Sequence, residues 1–246
     1  MPYYSLGYPT PSQSVEIIEA IAQAGVDLME LGLPFSDPLA DGPTIQHSMQ
    51  IALNHGITIR DCFELVRTIR KRGIQQPILL MGYFNPILAY GLEEFIAEAA
   101  AVEAEGLIIP DLPIEESHPV EQLCRQQRLA MVYLLPPTVE EERAKKIASR
   151  SSGFVYLVSL TGVTGARQKL PSNLQAFVQK ARSYTELPLA VGFGISTPEH
   201  VKDVGKFADG VIIGSALINA VEQASDPAKA AREYISTLKN ACQRIA

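Results

Sequence analysis

The chain has 246 residues, 47% of them hydrophobic, and 21 basic against 27 acidic residues leave a formal charge of −6. That length and apolar content suit one α/β barrel with a full core, so a single domain over residues 1–246 is expected. The acidic balance, with no basic block to track a phosphate backbone, argues against nucleic acid, and no apolar run reaches the roughly 20 residues of a membrane span.

In chain order, short apolar runs alternate with amphipathic segments. Tyr3 to Leu6 reads as a strand, and Ser12 to Ala24 as a helix, with Val15, Ile18, Ile21 and Ala22 at helical spacing and Gly25 as its stop. Val26 to Gly32 is the second strand, followed by helical patterns at Thr44 to Asn54 and Arg60 to Arg72. Further strand-then-helix pairs follow: Pro77 to Tyr83 with Leu92 to Glu105, Gly106 to Pro110 with Glu115 to Gln127, and Ala130 to Leu134 with Val139 to Ser149. Phe154 to Val158 precedes a helix at Ser172 to Arg182, Pro188 to Phe193 precedes one at Pro198 to Lys206, and Gly210 to Ile213 precedes terminal helical segments. Short apolar strands, each followed by a helix, fit a parallel sheet covered on both faces, and eight such units predict closure into a (β/α)8 TIM barrel. An open doubly wound sheet is the rival, because strand order is invisible in sequence.

The second strand carries the chemistry. Alternation puts Val26, Leu28 and Glu30 on one face, so Glu30 ends an apolar surface where lost solvation raises a carboxyl pKa towards neutrality. The alternative is a strand-end carboxylate facing solvent. Gly32, Pro34, Pro38, Gly42 and Pro43 then stiffen a loop presenting Asp37 and Asp41. Two later strands end in Gly192-Phe193-Gly194 and Gly214-Ser215, where backbone amides can approach an anion, as barrels often do after their last two strands. These glycines could equally serve only to turn the chain. The glycine-hinged segment Ser159 to Lys169, with Thr164 and Gly165, reads as a lid or as an ordinary flexible loop. Tyr156 either fills the barrel or brings its hydroxyl near the acids. No strand holds a lysine for Schiff-base chemistry or a histidine for metal ligation, which leaves carboxylate acid/base work on a phosphorylated, partly apolar substrate. Cys62, Cys124 and Cys242 are odd in number and far apart, as in reduced cytoplasmic proteins, and the four histidines lack ligand spacing, so no metal site is indicated. The N-terminus is too polar and proline-broken for a signal peptide.

The run from Glu30 through Gln46, ELGLPFSDPLADGPTIQ, closely resembles the signature of tryptophan synthase α subunits. The resemblance implies a cofactor-free retro-aldol cleavage of indole-3-glycerol phosphate to indole and glyceraldehyde 3-phosphate. It implies Glu30 as the general acid/base, Asp41 as the carboxylate that meets the indole N–H, and matching positions at Tyr156, the lid glycines, Gly192 to Gly194 and Gly214-Ser215. Tyr3, Tyr83, Ile108, Leu134 and Phe193 are the candidates for an apolar indole pocket. Family members dock a pyridoxal-phosphate-dependent β subunit in an α2β2 assembly, and prolines in the loops after strands two to five, with Pro34, Asp37 and Pro113 as interface candidates, fit that role or merely brace strand ends. A stand-alone lyase releasing free indole, or a weakly active partner that activates the β subunit, stay open. Family members usually carry an extra N-terminal helix, whereas here Met1 and Pro2 abut the first strand, so either a less covered barrel bottom is expected or the start at Met1 lies downstream of the true one.

Overall fold

The computed structural model describes residues 1–158, 170–192 and 194–242. The strands are β1 Tyr3–Ser5, β2 Met29–Gly32, β3 Ile78–Met81, β4 Gly106–Ile108, β5 Ala130–Val132, β6 Leu134–Leu135, β7 Val155–Val158, β8 Leu189–Gly192 and β9 Gly210–Val211. All neighbours pair parallel, β1 through β5 in one run and β6 through β9 in another. β5 and β6 are one stave broken at Tyr133, whose carbonyl still accepts from the Tyr156 amide at 3.1 Å. The circle closes through a parallel bridge between Pro2 and Ile213, with the Tyr3 amide donating to the Ile213 carbonyl at 2.8 Å. Closure removes both sheet edges and rules out the open doubly wound sheet.

Helices wrap the staves: α1 Pro11–Gln23, α2 Pro43–Asn54, α3 Ile59–Lys71, α4 Phe84–Tyr90, α5 Leu92–Ala101, α6 His118–Gln126, α7 Glu141–Arg150, α8 Leu174–Arg182, α9 Pro198–Val204, α10 Ser215–Glu222 and α11 Pro227–Cys242. Local chemistry sets several of their starts. Thr10 caps α1 by accepting from the Gln13 amide, with Pro11 in the first turn, and Thr58 and Asp61 form a reciprocal capping box on α3. The last helix, α11, packs on α1, α9 and α10, completing the outer ring beside the β1–β9 seam. Among the described residues no helix is long and apolar enough to cross a membrane.

Two departures from the sequence reading have physical causes. α4 is not among the helices read from the sequence; Pro86 falls in its first turn, where the missing N–H has no intrahelical partner to lose. The helix expected to run to Glu105 ends at Ala101, and Glu103 takes φ +58°, turning the chain towards β4.

Candidate active site

β2 begins at Met29, so Val26 and Leu28 lie outside it and the apolar face around Glu30 comes from neighbouring staves instead. Glu30 sits in register between Tyr3 of β1 and Leu79 of β3, and paired residues of a parallel sheet point to the same side. Its side chain is buried within the barrel at 2% exposure. Burial, reinforced by the nearby Asp41 carboxylate, pushes the Glu30 carboxyl up to about 8.

Asp41 arrives from the loop rather than from a strand. The Asp41 amide donates to the Pro38 carbonyl at 3.0 Å, and the Gln46 side-chain amide donates to the Asp41 carbonyl at 2.9 Å, pinning the turn before α2 begins at Pro43. The Tyr83 hydroxyl donates to Asp41 Oδ2 at 2.7 Å and accepts from the Ala40 amide at 3.1 Å. Burial raises the Asp41 carboxyl to about 6, and the Tyr83 hydrogen bond, which favours the charged form, opposes that rise. Both buried carboxyls are therefore raised above the usual carboxylate range, Glu30 further than Asp41, because among the described residues Glu30 has no side-chain donor like Tyr83 to favour its charged form.

Around these acids stand Ile108 on β4, Leu134 on β6 and Tyr156 on β7, with Ile108 and Tyr156 buried and Leu134 half-buried. Tyr156 feels both Glu30 and Asp41, which together with burial push its hydroxyl well above its usual range. Tyr3 and Tyr83, expected only as apolar wall, make polar contacts through their hydroxyls, Tyr3 with Ser5 and Tyr83 with Asp41. Leu79 and Met81, alternate residues of β3 on the Glu30 face, were also missed, because a fully apolar strand gives no sign of which side faces the cavity.

The second wall is built from backbone. β8 ends at Gly192, Gly194 takes φ +79°, which a side chain would strain, and Gly214 immediately precedes α10, whose first residue is Ser215. A Cβ on Gly192 would lie 2.4 Å from the Tyr156 hydroxyl, so only glycine lets that ring cross the strand end. Gly214 approaches the Tyr3 ring, with a built Cβ 3.4 Å from Cδ1. Thr164, Gly165 and Phe193 lie outside the described residues.

Of the interface candidates, Pro34 is buried and braces the loop from within, whereas Asp37 and Pro113 are exposed. Between them Leu39 stands 86% exposed at the barrel mouth, a feature the sequence reading passed over. The only cue in sequence was an apolar residue inside a loop of turn formers.

The sequence profile described as tryptophan synthase alpha chain matches residues 1–245. A curated tryptophan synthase alpha chain from Roseiflexus sp. (strain RS-1) is 49% identical over 97% of this chain and 92% of its own length. Another from Chloroflexus aggregans is 47% identical over 100% and 92%. The crystal structure of tryptophan synthase subunit alpha from Legionella pneumophila str. Paris superposes with a TM-score of 0.91 at 40% identity, covering 98% of this chain and 91% of that one. With a closed parallel barrel, two buried carboxyls on one wall and a glycine-lined wall beside them, this chain belongs to the tryptophan synthase alpha chain family.

Proposed function

We propose that the chain cleaves indole-3-glycerol phosphate to indole and glyceraldehyde 3-phosphate, with Glu30 and Asp41 as its catalytic pair. The observation that carries the reading is a pair of carboxyls buried in the barrel, Glu30 and Asp41, each 2% exposed, of which Asp41 alone accepts the Tyr83 hydroxyl, so that their environments differ and favour different charge states. Glu30 gives its proton to the indole C3, and the positive charge that develops on the ring is held at the N–H by the Asp41 carboxylate. Glu30, now a carboxylate, takes the proton of the hydroxyl on the adjoining chain carbon. The bond between that carbon and C3 breaks, its electron pair returns to the ring, and the hydroxyl carbon leaves as an aldehyde. The protein ends the cycle with the proton it began with, so the step needs no oxidant or reductant.

Gly192, Gly194, Gly214 and Ser215 offer backbone amides and a hydroxyl for the phosphate, with Thr164 and Gly165 contributing from the segment before them and Phe193 serving the apolar indole pocket. Tyr156, between the acids and Gly192, orients the chain that links ring and phosphate. The exposed Asp37, Leu39 and Pro113 support docking of a pyridoxal-phosphate-dependent β subunit at the barrel mouth, as a cytoplasmic α2β2 assembly. The test is indole release from indole-3-glycerol phosphate by the purified chain with and without added β subunit. Cleavage stimulated by the partner is expected. Full turnover alone would mark a stand-alone lyase, and binding without cleavage in either condition would overturn the assignment.

A further inference from the structure

Tyr3 is joined to α2 by a line of buried hydroxyls whose polarity is fixed. The Ser48 hydroxyl donates to the Ile45 carbonyl at 2.8 Å, and a carbonyl can only accept. Ser48 has a single proton, so in its 2.7 Å contact with Ser5 it must be the acceptor and Ser5 the donor. Ser5 has then spent its own proton, so the 3.3 Å contact with Tyr3 is donated by the tyrosine. Reversing any one link would set two oxygens against each other without a proton between them. Ser5 and Ser48 are fully buried, which removes water as an alternative partner. The Tyr3 hydroxyl is thereby left with its lone pairs, and not its proton, for whatever approaches inside the barrel.

The position of that oxygen says what approaches. The Tyr3 ring runs from Gly214, beside its Cβ and Cδ1, to Gly32, where a built Cβ would lie 2.0 Å from the hydroxyl. Gly214 belongs to the proposed phosphate wall, and Gly32 lies two residues beyond Glu30 on the same face of β2. A substrate held by its phosphate at one end and by the two acids at the other must lay its hydroxyl-bearing chain along this ring.

We infer that the Tyr3 oxygen accepts a hydrogen bond from a chain hydroxyl of the substrate, with Ser5 and Ser48 as positioning residues that fix its polarity. The inference rests on the proposed lyase reading and assigns Tyr3 a recognition role beyond an apolar wall. It is tested with wild type, Tyr3→Phe and Ser48→Ala, using KM for indole-3-glycerol phosphate and calorimetric Kd for 3-(indol-3-yl)propyl phosphate, which keeps ring and phosphate but has no chain hydroxyl. Tyr3→Phe should raise KM about tenfold and Ser48→Ala about threefold, each leaving the Kd of the propyl compound within about twofold of wild type. A Kd that rises in step with KM would reduce Tyr3 to packing, and an unchanged KM in Tyr3→Phe would remove the hydrogen bond; either overturns the inference. Wild type that binds the propyl compound without cleaving the natural substrate would overturn the lyase reading, and the inference with it.

Discussion

Tyr3 and Tyr156 occupy matching seats in two separate pairs of staves. Tyr3 on β1 is in register with Glu30 and lays its hydroxyl against Gly32, two residues further along β2. Tyr156 on β7 is in register with Ala190 and lays its hydroxyl against Gly192, again two residues further, on β8. The steric device is the same: a tyrosine crosses to the glycine that ends the next strand. What differs is the register partner, a carboxyl in one seat and a methyl in the other. On the proposed reading, chemistry enters at a single position of a repeated packing unit, and the Ala190 seat is left to hold and orient a ligand.

The comparison breaks most completely with Glu30→Gln, which makes the first seat as proton-poor as the second while keeping its shape. We expect kcat to fall on the order of 10³-fold with phosphate-ligand binding retained, measured by indole release and calorimetry. Near-normal turnover would end the acid/base assignment. The same variant reports on stability. In the folded chain Glu30 keeps its proton up to about 8, whereas the unfolded chain releases it near 4.5. The contribution of this group is fully present below pH 4.5 and is lost as pH rises through about 8. Glu30→Gln should therefore match wild type in Tm near pH 4.5 and exceed it at pH 9 by on the order of 10 °C.

Asp41→Asn comes next, because it removes the charge that answers the ring N–H but leaves the proton donor in place. A drop in kcat of about 10²-fold is expected. A change confined to KM would show Asp41 holding ground state and transition state equally.

Gly192→Ala attacks the second seat alone. The added Cβ would lie 2.4 Å from the Tyr156 hydroxyl and 2.5 Å from its ring, so Tyr156 must shift. A KM increase of about tenfold with a stability loss of about 1–3 kcal/mol is expected, read by kinetics and urea unfolding. Unchanged KM would separate Tyr156 from substrate binding.

These differences explain what could be read from sequence. The strand-then-helix alternation is written in apolar periodicity, and Glu30 shows because a carboxyl at the end of an apolar run is conspicuous. The reason first given for its burial was nonetheless incomplete, since Val26 and Leu28 precede the strand and the shielding comes from Tyr3 and Leu79 across register. Register is a property of pairs of strands and leaves no mark on either one. For the same reason the Tyr83 bond to Asp41 and the Ser5 to Ser48 bond were hidden: each joins residues more than forty positions apart, 42 in the first case and 43 in the second. The break at Tyr133 was hidden too, because its hydroxyl is held by Glu121 of α6, itself paired with Arg150 of α7 at 2.7 Å.

The smallest effect is the sharpest test of the acid seat. Tyr83→Phe keeps the ring, which packs 5.4 Å from Phe35, and deletes only the hydroxyl that donates to Asp41. That hydrogen bond is what holds the Asp41 carboxyl down against burial, so its loss moves the Asp41 pKa above about 6. In the proposed mechanism Asp41 acts as the carboxylate, so its population in the active form falls first on the acid side. At pH 8 the variant should lose only about threefold in kcat/KM, from the looser loop around Ala40, whereas at pH 6 the loss should approach tenfold. A loss of equal size at both pH values would mean that Tyr83 only positions the loop. A loss that grows as pH falls would place the Asp41 proton in the rate, and with it the division of labour between a carboxyl that carries a proton and one that must not.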